Sequence, residues 1–158
     1  MANKEEIVGK MLELQAEIEQ AVSALPEQAW TAGVYEGGWN ARELLAHIAS
    51  MSGPAGFILN LAKAPAGSGV GAPAGFNIDD FNRQQVSARE GKSPADFVSE
   101  IKTNFERDMN AVRDAPDYLL TKHFRAPWDV EGEVGDVIVM SLEGHLGMHL
   151  ADLRSAAR

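Results

Sequence analysis

The sequence predicts an all-α protein, a bundle of four long helices with one short extra helix. Three observations carry this. Four segments repeat apolar residues at spacings of three and four, the mark of one buried helical face. Several of them open on an Asn or Ser that fits a helix N-cap. No segment shows sustained alternation of apolar and polar residues, so strands are not expected.

Helix one is expected over about 4–24. Ile7, Met11, Leu14, Ile18, Val22 (or Ala21) and Leu25 form its stripe, Asn3 with Glu6 reads as a capping box, and Pro26 ends it. Gly37 and Gly38 make a loop. Asn40 with Glu43 then starts helix two, expected over about 41–63, with Leu44, Ile48, Met51, Ala55, Ile58 and Leu59 on its apolar side. Gly53-Pro54 should kink this helix without ending it. Residues 63–76 are rich in Gly, Ala and Pro and form a long irregular connection. They include Gly67-Ser-Gly69-Val-Gly-Ala72, which fits G-x-G-x-x-G/A. A dinucleotide site needs a strand before that motif and a helix after it, and here a helix precedes it. The short helix begins after Asn77, with Asp79 and Asp80 in its positive first turn, and stops at Gly91. Ser93 caps the next helix, Pro94 takes its first position, and Phe97, Ile101, Phe105, Met109 (or Asp108) and Val112 line it. Residues 115–133 read as a loop or short extended piece. The last helix runs from Val134 or Gly135 to about 156.

The length, 158 residues, fits a single domain over 1–158. The formal net charge of −9 and the lack of any Lys/Arg run argue against nucleic acid and against anionic membrane surfaces. No stretch of eighteen apolar residues occurs and the first thirty carry no apolar signal region, so neither a membrane span nor a signal peptide is expected, and the cytoplasm is. There is no cysteine, which removes disulfides, Cys-based zinc sites and any nucleophilic thiol of the chain's own.

The chemistry concentrates in the histidines. In "EGHLGMHLADLR", His145 and His149 are four apart, and on a helical wheel they fall within an arc of about 80° that also holds Val134, Ile138 and Leu142. Neighbours four apart can converge on one cation at about 2.0–2.1 Å. His47 sits on the apolar stripe of helix two, so three imidazoles point inward from two helices. Three neutral imidazoles with an open fourth position suit a catalytic metal. The spacing alone leaves a second reading open, in which these are core histidines hydrogen-bonded within the bundle. Leu146, in place of the Glu of the zinc-protease motif, removes that mechanism. Repeated Glu-x-x-His, as in di-iron bundles, does not occur.

"GGWNARELLAHIASM" followed by a late "GHLGMHLADLR" resembles the DinB-like superfamily, which includes the YfiT-like proteins and the N-terminal domain of mycothiol-dependent maleylpyruvate isomerases. "DDFNRQQVSAREGKSPADFVSEI" is similar to the middle of the mycothiol-dependent branch. The resemblance implies an up-down-down-up four-helix bundle in which 63–76 is the long crossover between helices two and three. It implies a divalent metal, zinc or nickel, with His47, His145 and His149 at the ligand positions, and a homodimer. In the isomerases the second ligand can be Glu, and here it is His145. The extra C-terminal domain that many such isomerases carry is not expected here. The resemblance further implies a low-molecular-weight thiol of the mycothiol or bacillithiol type, activated by the metal for S-transfer to an electrophile or for isomerisation. The alternatives are activation of water, a non-enzymatic metal-binding stress-associated protein, and a metal-free bundle that dimerises through an apolar face.

Asp152, one turn past His149, is the carboxylate nearest to that residue in sequence and could orient its imidazole. Asn82 in the short helix could reach the pocket. His123 could shuttle a proton near pH 7. Trp39 and Trp128 read as packing at the bundle ends. Arg42, Arg83, Arg125 and Arg154 are candidates for a substrate carboxylate, or for surface ion pairs.

Overall fold

A computed structural model describes residues 2–33, 35, 38–64 and 75–156. It is an all-α bundle. Helix α1 (Lys4–Ala24) begins at the expected capping box, in which Asn3 Oδ1 accepts from Glu6 N and the Glu6 carboxylate accepts from Asn3 N. Its buried face is Ile7, Met11, Leu14, Ile18 and Ala21. An unforeseen turn of 3₁₀ helix, Glu27–Thr31, follows and buries Trp30. Helix α5 (Pro94–Asp114) buries Phe97, Ile101, Phe105, Asp108, Met109 and Val112. The last helix comprises α7 (Val134–Ser141) and α8 (Gly147–Ser155), joined by a π-helical turn at Leu142–Leu146.

Helix two is not merely kinked. It is two helices, α2 (Ala41–Ser50) and α3 (Pro54–Lys63), separated at Met51–Gly53. Proline at the first position of α3 suits a helix start, and no side chain of Gly53 caps it. The cap comes instead from α5. Ala55 N donates to Asp108 Oδ2 at 2.8 Å, deep in the bundle. Gly56 N–H also favours the charged carboxylate, and Arg107 Nε stands 3.9 Å from Oδ1, which is buried without a hydrogen-bond partner among the described residues. A tertiary contact of this kind leaves no trace in local sequence.

Polar contacts fix the helix directions. Lys4 Nζ reaches Asp117 at 3.0 Å and Arg113 O at 3.1 Å, so α1 runs antiparallel to α5. Ala2 N donates to Asp136 at 2.7 Å and Arg154 pairs with Glu17 at 3.1 Å, so α1 and the last helix run parallel. Arg42 donates to Lys92 O at the start of α5, whereas Ala55 meets Asp108 near its end, so helix two is parallel to α5. The order is therefore up-down-down-up. Each of α1 and α5, and each of helix two and the last helix, packs against its neighbours around the ring. Parallel neighbours cannot be joined by a tight turn, and the chain must travel the bundle's length between Lys63 and Pro94. Helix α4 (Ile78–Ser87) belongs to that return and lies against α2. The connection at 63–76 falls mostly outside the described residues, as does the Gly67–Ala72 match.

Residues 115–133 are more ordered than expected. A short helix α6 (Asp117–Leu120) precedes a hairpin of β1 (His123–Arg125) and β2 (Glu131–Glu133), in which Phe124 opposes Gly132. Asp129 takes a positive φ of 63° near its turn. Strands of three residues are too short to show alternation. By length and mean hydropathy alone the segment Ala41–Lys63 would be long and apolar enough to cross a membrane, although it holds no run of eighteen apolar residues. In this fold 56% of its most apolar stretch is buried inside the bundle.

Gly56 follows from the Asp108 contact. A Cβ at Gly56 would stand 2.7 Å from Asp108 Oδ1. Gly56→Ala is predicted to lower stability by about 1–3 kcal/mol in urea unfolding, because the buried carboxylate cannot retreat without losing Ala55 N–H. Burial pushes the Asp108 carboxyl above its usual range, against the pull of the Gly56 and Ala55 N–H groups and of Arg107. The folded state thus holds this proton more tightly than the unfolded state. Stability should fall as pH rises from 3.8 through that raised value. Asp108→Asn, which keeps the Ala55 hydrogen bond, should flatten that part of the pH–stability curve. An unchanged curve would contradict the assignment.

Candidate metal centre

The site is built from three helices. The capping box of α2, with Asn40 Oδ1 accepting from Glu43 N at 2.9 Å, sets where that helix begins and hence which way His47 faces. His47 is 2% exposed, and its ring lies 4.6 Å from that of the buried Trp39. The last helix brings His145, in the π turn, and His149, in α8. Ring centroids are 4.8 Å apart for His47–His149, 4.7 Å for His145–His149 and 5.8 Å for His47–His145. One potential donor nitrogen from each lies within 4.8 Å of the others. Two nitrogens bound to one zinc at about 2.0–2.1 Å stand no more than about 4.2 Å apart, so small ring rotations close the set.

Burial differs among the three. His149 is fully buried, whereas His145 is exposed and faces a cavity of about 340 Å³. Trp39, His47, Ile78, Asp79, Asn82 and Arg83 line the rest of that cavity. Burial lowers the His47 imidazole from 6.5 to about 3, and the neighbouring His149 and His145 add to the shift. His47 is therefore neutral, the form that binds a cation. Its Nδ1 is buried with no hydrogen-bond partner among the described residues. An unmade hydrogen bond of this kind costs about 1–3 kcal/mol, and a bound cation removes it. Observed burial and donor chemistry thus fit a divalent metal.

Other sequence candidates are distributed unevenly. Asn82 lines the cavity. Asp152 is half-buried beyond His149 and does not line it; its main-chain carbonyl accepts from Ser155 Oγ at 2.6 Å. His123 is not brought to the cavity. It lies exposed on β1, with Nε2 2.8 Å from Glu131. Trp128 stacks on Phe57 at 6.1 Å, and Trp39 belongs to the site rather than to end packing alone. Arg42, Arg125 and Arg154 are engaged with Lys92 O, Asp129 and Glu17, whereas Arg83 lines the cavity and pairs with Asp80 at 2.6 Å. Ile78 and Asp79 were missed, although their spacing from Asn82 on one helix places all three side by side. A second cavity of about 430 Å³, near Asp108 and Arg107, holds none of the histidines.

A bundle of DinB-like, YfiT-like architecture with a three-histidine cluster is thus the class that fold and site define. The profile described as the mycothiol maleylpyruvate isomerase N-terminal domain matches residues 11–154, and the chain belongs to that family. Among solved structures, YfiT from Bacillus subtilis, described as "a probable metal-dependent hydrolase with an unusual four-helix bundle topology", superposes with a TM-score of 0.71 at 16% identity, over 98% of this chain and 86% of that one. A mycothiol-dependent maleylpyruvate isomerase superposes with a TM-score of 0.70 at 14% identity, over 97% of this chain and 63% of that one. This chain therefore spans under two thirds of the isomerase. A search of curated proteins by sequence gives no match.

If His47 is held for binding rather than for packing, removing it should help the empty fold. In metal-free protein, His47→Leu is predicted to raise stability by about 1 kcal/mol in urea. The same variant should lose part of the acid sensitivity of the parent. A folded imidazole near 3 against 6.5 unfolded makes stability fall as pH drops through that interval. A large destabilisation by His47→Leu would instead mark His47 as a core residue.

Proposed function

We propose that this chain is a metal-dependent enzyme in which His47, His145 and His149 hold one divalent cation, zinc or nickel, that activates a low-molecular-weight thiol of the mycothiol or bacillithiol type. The carrying observation is the convergence of three imidazoles at one cavity, two of them buried and the third open to it. A divalent cation held there supplies Lewis acidity that lowers the pKa of a thiol or water taken as its fourth ligand. His47 and His149, fixed in the bundle, set the position of that ligand, and His145 stands on the cavity side. Trp39 packs against the His47 ring and helps hold it in place. The absence of cysteine is consistent with a thiol brought in from outside.

In S-transfer, the thiol releases its proton to solvent, a C–S bond forms at the electrophile, and the leaving group departs with its electron pair. In isomerisation, sulfur adds to a conjugated double bond, the resulting single bond rotates, and the thiol is expelled unchanged. The family membership supports the isomerisation, and the reading expects a cytoplasmic homodimer. His145, where the resemblance allows Glu in the isomerases, leaves the three-ligand set neutral. Three neutral imidazoles would leave the charge of a bound cation undiminished, which would favour a thiolate as its further ligand.

The test is metal content by plasma mass spectrometry on untagged protein, with His145→Ala beside it. About one equivalent in the parent and little in the variant is expected for a three-ligand site. A parent that stays empty after incubation with zinc and nickel would overturn the proposal.

A further inference from the structure

Helix α4 is peripheral to the core: of its ten residues only Val86 is buried. It nevertheless faces the histidine cavity with Ile78, Asp79, Asn82 and Arg83. The helix has two unlike edges beside that face. On one, Arg83 is paired with Asp80 at 2.6 Å. On the other, Phe81 lies one turn from Ile78, and its ring is 5.6 Å from that of Phe76. These three apolar side chains are exposed, at 44% for Phe76, 55% for Ile78 and 43% for Phe81. Single exposed apolar residues are ordinary, whereas a contiguous group at the rim of a cavity marks a binding surface.

We infer that Phe76, Ile78 and Phe81 hold the apolar body of the electrophile, and that the preferred acceptor is a neutral aromatic molecule. The inference rests on the reading of the histidine cluster given above. Charge complementarity supports it. Apart from a cation on the histidines, whose charge a bound thiolate would offset in part, Arg83 is the one cationic side chain among the described lining residues, and it pairs with Asp80. Asp79 lies in the same wall and repels an anion, and the chain as a whole carries −9. An acidic acceptor finds little here to hold it. A flat apolar ring finds the aromatic pair Phe76–Phe81 and the Ile78 side chain, which is shared between the rim and the cavity. The acceptor's reactive carbon then lies on the cavity side of Ile78, toward His145.

The test uses two unreactive probes, 2,4-dinitrotoluene as the neutral aromatic and maleate as the dianion. Binding is followed by protein NMR in both zinc-loaded and chelated samples. The chelated sample decides this inference, so a failure of metal loading remains a separate result. Dinitrotoluene should bind more tightly than maleate and shift the Ile78 and Phe81 resonances. Phe81→Ser should weaken dinitrotoluene about 5–10-fold, the loss expected for part of one ring's buried area, while leaving metal content at the parent value. Tighter binding of maleate in the chelated sample, or dinitrotoluene binding unaffected by Phe81→Ser, would overturn the inference.

Discussion

Neutral imidazole in an apolar bundle is the constraint on which the rest of this structure depends. His47 sits against Trp39 with Nδ1 buried and unpartnered, and burial holds its proton affinity far below the ordinary value. An imidazole in that place is a net cost to the fold until something binds it. Three features fix it there. The Asn40–Glu43 capping box sets the phase of α2. The break at Met51–Gly53 separates α2 from α3, and Asp108 caps the start of the second. The π turn spans Leu142–Leu146 and carries His145, while His149 follows in α8. One-turn π segments are often found at functional sites, where they re-aim a side chain within an otherwise regular helix.

Much of this was legible in the residues. Stripes such as Ile7, Met11, Leu14 and Ile18, or Phe97, Ile101, Phe105 and Val112, mark buried faces because burial and helical periodicity are the same fact seen twice. Asn3, Asn40, Asn77 and Ser93 mark helix starts because their side chains satisfy backbone N–H groups locally. The inward phase of His47 follows from its stripe. What stayed hidden depends on distant contacts. A kink was expected at Gly53-Pro54, and a full break occurs because a carboxylate from another helix caps α3. The hairpin of β1 and β2 is too short to signal itself, and it takes His123 to the surface with Glu131. The wall of α4 was half seen: Asn82 by its place beside the crossover, Ile78 and Asp79 not at all.

The architecture also explains why the chain between helices two and three must be long. Helix two and α5 are parallel neighbours, and the return between them supplies α4. A connection forced by topology thereby becomes a wall of the cavity. At 16% and 14% identity, YfiT and the isomerase share this arrangement as a fold, and the chemistry of this chain rests on its own residues. Asp79, Asn82 and Arg83 together with Trp39 and Ile78 give its cavity both polar and apolar sides.

The central claim is a cation on three imidazoles with one position left for a thiol. X-ray absorption at the zinc edge of loaded protein, before and after adding a thiol such as mycothiol, tests it most directly. The account predicts three imidazole nitrogens and one light atom at about 2.0–2.1 Å, with sulfur at about 2.3 Å replacing the light atom when thiol is added. A shell of oxygens without imidazole, or a spectrum that thiol leaves unchanged, would contradict it.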